Sequence, residues 1–402
     1  MFAKKKLFMT LASILGLYLF STGVSYAVFT FILEPPIIPG LLAPESTAPS
    51  DLADKKQIKQ LLETTGPKNQ VCPINGQKLT TNEKEAWENR RPLLVMIENH
   101  EESRPQSGMF FADVVYETVA EGGITRFMGI FYCEAQAYEV ILGPVRSART
   151  YFLDWASEYG GFPLYTHVGG ANTPGPANAL GQIGSYGWGG AEGNDLNQFS
   201  IGFPTFWRDY ERLGRTVATE HTMYSTTERL WGVAKKRGWT NTSPDGEEWD
   251  ENFVSWKFEE DAKPDKRGET GEISYTFWSD YSDYNVKWVY DKENNLYRRF
   301  TGDKEHKDLD TDEQLTVKNV VVLTQTEANA NDGYPGNVHL LYGTTGEGKA
   351  WIFNNGQAID GKWVKASRLG RTKFFDKSGK EIRLVEGKIW LSIVPVGVEV
   401  KY

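Results

Sequence analysis

Two arginines stand three residues apart in Gly143-Pro-Val-Arg146-Ser-Ala-Arg149, where a predicted strand ends and a predicted helix begins. At that spacing both side chains project from one side of the first helical turn. Cations at a helix N-terminus meet the positive end of the helix dipole, which costs roughly 0.3–1 kcal/mol each. The compensating group is either a carboxylate of the chain, with Asp113, Glu117 and Glu121 as candidates, or a bound phosphate or carboxylate.

Further polar side chains occur at predicted strand ends and turns in the same part of the chain. Arg126 closes the segment Glu121-Gly-Gly-Ile-Thr-Arg126, and His167 opens His167-Val-Gly-Gly170, where glycines allow a backbone to approach a ligand closely. Each residue alone also has an ordinary structural explanation, but together they make this segment the better candidate for a site. The expected ligand-binding residues are Asp113, Glu117, Glu121, Arg126, Arg146, Arg149, His167 and His221.

The sequence contains no familiar catalytic or cofactor motif. There is neither a G-x-S-x-G elbow nor an H-E-x-x-H pattern. Gly343–Ala350 approaches a P-loop, but Ala350 replaces the hydroxyl that would hold magnesium, and a predicted strand follows where a helix is needed. A zinc site would require several of the five histidines, which are scattered along the chain, to converge in space. The histidines are His100, His167, His221, His306 and His339. We therefore expect no cofactor and no metal site.

The composition excludes several classes of protein. The chain has 402 residues, of which 40% are hydrophobic and 24% charged, as expected of a globular protein. Its net charge of −9 argues against a nucleic-acid partner. With only Cys72 and Cys133, neither a disulfide scaffold nor a multi-cysteine zinc site is possible. A single disulfide remains open, although the apolar run around Cys133 favours a buried thiol.

The N-terminus predicts a membrane anchor. Residues 1–6 carry three lysines, and the 27 residues from Leu7 to Leu33 carry no charge, which exceeds the ~20 residues that cross a bilayer. The positive-inside rule then places the tip in the cytoplasm and the bulk of the chain outside a single-pass anchor. A signal peptide cleaved near Ala27 is the competing interpretation. Residues 34–66 contain five prolines and predict a tether.

Two globular segments, 67–240 and 273–402, follow the tether and are separated by an acidic linker at 241–272. Apolar runs predict strands in the first segment, and helical periodicity predicts helices from about Ser147 to Tyr159 and from Ser225 onward. The glycine-rich stretch Gly169–Gly202 predicts a long irregular loop. The predicted strands of the first segment are Leu93–Glu98, Ala112–Thr118, Arg126–Phe131 and Glu139–Leu142.

The second segment consists mostly of strand-like runs separated by Asn, Asp and Gly turns. The predicted fold class is therefore α+β, with a mixed α/β domain followed by a β-rich domain. The predicted strands of the second segment are Val286–Tyr290, Val317–Leu323, Val338–Tyr342, Trp351–Phe353 and Ile389–Val394.

Several runs, in order, resemble the YerB-like family of bacterial cell-envelope proteins, which are described as lipoproteins of unknown function. The resemblance covers about residues 70–402 and implies a two-domain protein that faces outward, with no established reaction. No cysteine follows the apolar run closely, so the lipid anchor of the family is not expected here. The matching runs are Arg91–Asn99, Arg104–Gly108, Ala112–Glu117, Glu121–Arg126, Gly143–Arg149, His167–Gly170, His221–Tyr224, Asn319–Val322, Gly361–Lys365 and Gly387–Trp390 with Pro395.

These observations predict a membrane-anchored extracytoplasmic protein that binds an anionic or glycan cell-wall ligand, or an envelope partner protein, through the Arg146/Arg149 turn. The alternative is a phosphotransferase or hydrolase acting on a diphosphate-linked precursor such as a polyprenyl diphosphate. The two arginines would then neutralise the diphosphate. Asp113, Glu117, Glu121 or His167 would act as a base or metal ligand. A weaker likeness to LytR-CpsA-Psr phosphotransferases, which bind a polyprenyl pyrophosphate through arginines, points toward the same alternative.

Overall fold

The computed structural model of this protein describes residue 49, residues 58–334 and residues 338–402. The predicted anchor at 7–33, the cytoplasmic tip and most of the tether therefore lie outside the described residues. Within the described part, no helix is both long enough and apolar enough to span a bilayer. Ala48–Tyr402 forms one compact unit.

The described part of the chain is mostly β, with few helices. This agrees with the prediction that the second segment is β-rich. The strands of the first half are β1 Lys59–Gln60, β2 Gln70–Val71, β3 Lys78–Leu79, β4 Leu93–Glu98, β5 Val114–Glu121, β6 Ile124–Phe131, β7 Tyr138–Glu139, β8 Ile141–Leu142, β9 Leu164–His167, β10 Asp195–Asn197, β11 Trp207–Arg208 and β12 Met223–Thr226.

The second half adds further strands. They are β13 Phe258–Glu259, β14 Glu272–Tyr275, β15 Val286–Asp291, β16 Leu296–Thr301, β17 Lys304–Glu305, β18 Thr316–Val317, β19 Asn319–Gln325, β20 Glu327–Asn329, β21 Leu340–Tyr342, β22 Gly346–Asn354, β23 Gln357–Lys365, β24 Lys373–Asp376, β25 Leu384–Val385 and β26 Ile389–Pro395. The described α-helices are α1 Thr81–Trp87, α2 Thr150–Ala156, α3 Ala179–Ser185, α4 Gln198–Ile201 and α5 Thr227–Lys236.

One ten-stranded sheet runs through both globular segments, in the order β10-β9-β4-β6-β5-β26-β19-β22-β23-β24. The junction is the parallel pair β5–β26, in which Val114 faces Ile389 and Glu117 faces Ser392. The last strand of the chain thus inserts between a strand of the first segment and β19 of the second. The two segments consequently share one sheet.

The central strands have mostly apolar sequences, as is usual for strands that are covered on both faces. Every residue of β4 and β19 is buried. Helix α5 packs against β4, and β16 packs against β19. Within Gly343–Ala350, the residues from Gly346 onward belong to β22, the first strand of the hairpin β22–β23. This agrees with the prediction that a strand, and not a phosphate-binding helix, occurs here.

Local structure corrects two predictions. Helix α5 takes Thr226 as its N-cap, because the Thr226 hydroxyl accepts a hydrogen bond from the Arg229 amide at 3.2 Å. The Ser225 hydroxyl instead donates to the Thr205 carbonyl oxygen at 2.8 Å. The stretch Gly169–Gly202 is not one irregular loop, since it contains α3, β10 and α4.

The two cysteines are joined in a disulfide, so the buried-thiol expectation for Cys133 was wrong. Both residues are fully buried, and their Cα atoms lie 5.9 Å apart. An apolar surrounding suits a buried disulfide as well as a buried thiol. The sequence around Cys133 therefore could not distinguish the two states.

Two buried ion-pair groups also join the segments. Arg299 of β16 donates from Nη2 to both carboxylate oxygens of Glu117, at 2.8 and 3.0 Å, and both side chains are fully buried. Behind α2, the Glu158 carboxylate lies 2.9 Å from the Lys365 ammonium and 3.4 Å from an Arg371 guanidinium nitrogen. Each group carries charges from both segments, so neither segment satisfies its buried charges alone.

Candidate functional site

Five charged side chains alternate in sign where β4 and β5 end and where β6 and α2 begin. In order they are Arg146, Glu98, Arg126, Glu121 and Arg149. Glu98 and Arg126 face each other in the antiparallel pair β4–β6, which explains their proximity. Arg146 and Arg149 enter from the segment that leads into α2, where Arg149 is the residue before the first helical turn.

The arginines of this row are paired with carboxylates of the chain. Arg146 forms an ion pair with Glu98, and Arg149 forms one with Glu121. The sequence prediction named Glu121 among the candidate partners but not Glu98. The chain itself therefore supplies compensating charge for the two cations at the start of α2.

The electrostatic environment keeps both carboxylates ionised. Burial by itself would raise the pKa of Glu98, but His221, Arg146 and Arg126 outweigh this effect and lower the pKa to about 2. Burial likewise opposes ionisation of Glu121, yet Arg149 and Arg126 lower its pKa below the usual value. Three guanidinium groups against two carboxylates leave the row with an excess of one positive charge.

Not all guanidinium nitrogens of the row have acceptors. Arg126 donates from Nη1 to the Ser147 carbonyl oxygen at 3.1 Å. Its Nε, and the Nε of Arg149, are buried and have no hydrogen-bond partner among the described residues. Because a buried donor without an acceptor is costly, these groups favour an additional acceptor at this place.

A cleft of about 660 Å³ opens beside Arg146 and Ser147. Asn197 shapes one side, because its Oδ1 accepts hydrogen bonds from the amides of Gly169 at 3.3 Å and Phe199 at 3.1 Å. The Phe199 ring is 76% exposed at the rim. The other lining residues are Val145, Val168, Gly170, Asn172, Leu180, Arg208, Thr219, Glu220 and Met223.

Gly169 is required at this rim for two reasons. Its φ of +56° is unfavourable for other residues, and a Cβ atom there would lie 2.9 Å from the Phe199 ring. The glycine-rich composition of residues 169–202 was the sequence signal for this cleft. Sequence reasoning nevertheless did not assign Asn172, Asn197 or Phe199 to it.

His167 lies below the cleft and supports its wall. The ring is fully buried, with Nδ1 at 2.6 Å from the Gly169 carbonyl oxygen and Nε2 at 2.6 Å from an Asp195 carboxylate oxygen. Both ring nitrogens are therefore engaged within the protein. His167 positions the Gly169 turn and does not line the cleft.

His221 lies at the Glu98 end of the charged row. Its Nδ1 is 3.5 Å from the Glu98 carboxylate, and its ring stacks on that of His100 with centroids 4.8 Å apart. The structure thus brings together five of the predicted site residues, which are Arg126, Arg146, Arg149, Glu121 and His221.

Asp113 and Glu117 lie apart from this row and are engaged in structural contacts. Asp113 is buried next to the disulfide, where its carboxylate accepts hydrogen bonds from the Tyr132 and Cys133 amides at 2.7 and 2.9 Å. Glu117 pairs with Arg299 and accepts a further hydrogen bond from the Trp390 indole at 3.0 Å. We do not include either residue in the candidate site.

Two models of one family match this sequence. "Protein of unknown function (DUF3048) N-terminal domain" matches residues 79–240, and the corresponding C-terminal domain matches residues 273–391. The chain belongs to this YerB-like family. The resemblance seen in the sequence is thereby confirmed. All described residues of the charged row and of the cleft lie within the stretch that matches the N-terminal domain of the family.

Related proteins agree with this assignment. The Bacillus subtilis (strain 168) protein named "Putative lipoprotein YerB" is 29% identical over 311 residues, which cover 76% of this chain and 82% of that protein. The crystal structure of YerB from Bacillus subtilis matches with a TM-score of 0.65 at 24% identity. That match covers 83% of this chain and 100% of the other, and it shows a shared fold.

Proposed function

We propose that this protein is a membrane-anchored protein of the cell envelope whose cleft binds an anionic glycan of the cell wall. Its location outside the cytoplasm is supported by the apolar run at 7–33 and by the lipoprotein name of its Bacillus relative. The Cys72–Cys133 disulfide agrees with an oxidising compartment.

The observation that carries the proposal is the combination of charge and lining at the cleft. Arg146 lies at the wall with 28% of its side chain exposed, at the end of a row that has one excess positive charge. Asparagine amides and backbone groups of the glycine turn supply hydrogen-bonding groups, and the exposed Phe199 ring supplies an apolar face. Sugars present hydroxyl groups and apolar ring faces, which such a mixed lining accommodates.

The placement of the candidate bases supports the enzymatic alternative less than it supports ligand binding. Asp113, Glu117 and His167 are buried and occupied by contacts within the protein, and Glu121 is paired with Arg149. A phosphotransferase or hydrolase activity therefore stays a prediction. Turnover of a polyprenyl-diphosphate-linked wall precursor by the purified protein would favour it.

The direct test is the thermal stability of the full-length chain in detergent, measured with wall fragments, polyprenyl phosphate, inorganic diphosphate or a neutral glycan. A ligand at ~100 times its Kd stabilises the folded state by about 2.7 kcal/mol. For a unit the size of Ala48–Tyr402 this corresponds to a rise of about 3–4 °C in Tm. We expect the rise with anionic wall fragments and not with the neutral glycan.

Two exposed residues of the cleft allow a test that does not disturb the core. Phe199→Ala and Asn172→Ala should each weaken binding of the wall fragment, by about 5–30-fold for the ring because ~1–2 kcal/mol of apolar contact is lost. The matched control is Phe203→Ala, since Phe203 is 67% exposed nearby but does not line the cleft. Equal losses for Phe199→Ala and Phe203→Ala, or no ligand-induced shift at all, would contradict the proposal.

A further inference from the structure

Two of the five histidines meet next to an acidic side chain, at the Glu98 end of the charged row. His100 caps the short 3-10 helix Glu101–Ser103 that follows β4, and Glu102 lies within that helix. His221 ends the 3-10 helix Thr219–His221. One possible ligand atom from each of the three residues lies within 4.8 Å of the other two. This convergence could not be predicted from the sequence, because the two segments are distant along the chain.

We propose that His100, Glu102 and His221 bind a zinc-type divalent metal ion. The set of two imidazole nitrogens and one carboxylate oxygen, with a fourth position open, is a recurrent zinc coordination set. The proposal rests on this cluster alone and does not depend on the ligand of the cleft.

Glu98 orients His221 for this purpose. It faces His221 Nδ1 at 3.5 Å, on the side of the ring away from Glu102, whose carboxylate lies 3.7 Å from Nε2. A carboxylate on one ring nitrogen holds the proton there and leaves the other nitrogen free for a metal, an arrangement that is common around metal-binding histidines. His221 is almost fully buried, so its ring has little freedom to turn away.

The distances require a modest closure of the site. Ligand atoms bound to a tetrahedral zinc ion at ~2.0–2.1 Å stand about 3.3 Å apart. The 3.7 Å between Glu102 and His221 is close to this value, and the Glu102 side chain is 52% exposed and free to adjust. His100 accepts a hydrogen bond from the Glu102 amide through Nδ1 at 3.2 Å. Coordination through its Nε2 would require a proton on Nδ1 and would break that bond.

The local charge selects the type of ion. The negative charges of Glu98 and Glu102 are offset by Arg146 and Arg126 beside Glu98, and by Arg215, which donates to the Glu102 carbonyl oxygen at 2.9 Å. Because neighbouring arginines offset the carboxylate charge, the affinity of the site for a metal ion must come from the imidazole nitrogens. Magnesium and calcium prefer several oxygen ligands, whereas zinc binds imidazole well.

The test uses the full-length chain in detergent, stripped with a chelator, and measures Zn²⁺ binding by calorimetry and by metal content after dialysis. We expect a single zinc ion per chain, and no binding of Mg²⁺ under the same conditions. Glu102→Gln should weaken zinc binding by more than the ~10–100-fold that follows loss of an outer hydrogen-bond partner, because it removes a direct ligand. This residue is exposed, so the variant should fold.

Glu101→Gln is the matched control, since Glu101 is an exposed neighbour with the same side chain outside the cluster. It should bind zinc like the unaltered chain. His221→Ala should abolish binding, and the absorption of bound Co²⁺ should report nitrogen ligation in the unaltered chain. Zinc content at background level, or equal affinity of Glu102→Gln and Glu101→Gln, would overturn the proposal.

Discussion

Replacing Glu117 by Gln tests whether the two family domains unfold together. The substitution keeps the shape of the side chain but removes the negative charge that faces Arg299. Both side chains are fully buried, and Arg299 also lies over the Trp390 ring, with its guanidinium carbon 4.1 Å from the ring centroid. The variant therefore leaves a buried cation without a counter-charge, between a strand of each domain.

The expected cost follows from this burial. Removing one partner of a buried ion pair typically destabilises a protein by ~3–5 kcal/mol, because the remaining charge is desolvated without compensation. The Thr125 hydroxyl and the Trp390 indole donate to different oxygens of the Glu117 carboxylate, each at 3.0 Å. The single oxygen of a glutamine can keep only one of these hydrogen bonds in place, and neither bond replaces the charge. For the unit Ala48–Tyr402, unfolding entropy of ~2.1 cal/mol/K per residue converts this cost into a Tm decrease of about 4–7 °C.

The assay is differential scanning calorimetry of the full-length chain, together with urea unfolding followed by tryptophan fluorescence. Because β5 and β26 pair within one sheet, we expect a single transition that shifts as a whole in Glu117→Gln. Glu347→Gln serves as the control. It removes the carboxylate of an exposed pair with Lys362, and it should change stability by no more than about 0.5 kcal/mol.

Two outcomes would refute the reasoning. If the unaltered chain unfolds in two separate transitions, the shared sheet does not couple the domains. If Glu117→Gln costs no more than Glu347→Gln, the pair with Arg299 is not desolvated as the structure indicates. The variant Glu117→Gln/Arg299→Met should recover part of the loss, because no unpaired charge then remains.

Two further predictions concern stability. Reducing the Cys72–Cys133 disulfide, or replacing both residues by Ser, should lower the free energy of unfolding by about 4 kcal/mol, since the bond closes a 61-residue loop; an unchanged urea midpoint under reductant would contradict this. Glu98 has a lowered folded-state pKa, so the stability it contributes is complete above about pH 4.5 and is lost as pH falls toward 2. The loss in free energy of unfolding should reach roughly 3 kcal/mol. In urea unfolding across this pH range, the stability of Glu98→Gln should fall less steeply with decreasing pH than that of the unaltered chain. Equal slopes for the two proteins would refute this prediction.

Several elements could be predicted from local sequence. The apolar run of β4 predicted a buried strand with the bounds that the structure shows, because continuous apolarity leaves no solvated face. The N-cap of α5 was predicted one residue early, because Ser225 and Thr226 are both good caps. In the fold the Ser225 hydroxyl is engaged with the Thr205 carbonyl oxygen, and Thr226 caps the helix. The glycine-rich region was recognised as unusual, but its short helices and strand were missed.

The candidate site was predicted only in part. The pair Arg146 and Arg149 was visible from its spacing, and Glu121 was named as a partner. Glu98 was not assigned to Arg146, because their contact depends on how β4 meets the segment before α2. Asp113 and Glu117 were predicted as site residues because they are carboxylates at strand ends of the same segment, although both make buried contacts elsewhere.

The sequence by itself determined the elements whose signal is local: the apolar strands, the turns, the paired arginines and the family membership that these motifs carry. Only the tertiary structure decided which charges neutralise one another, that Cys72 and Cys133 are bonded, and that one sheet joins both domains. Glu117 and Arg299 are 182 residues apart, and β26 reaches β5 only after the rest of the chain has been placed. Such pairings depend on the burial and geometry of the whole fold, and no local pattern of residues encodes them.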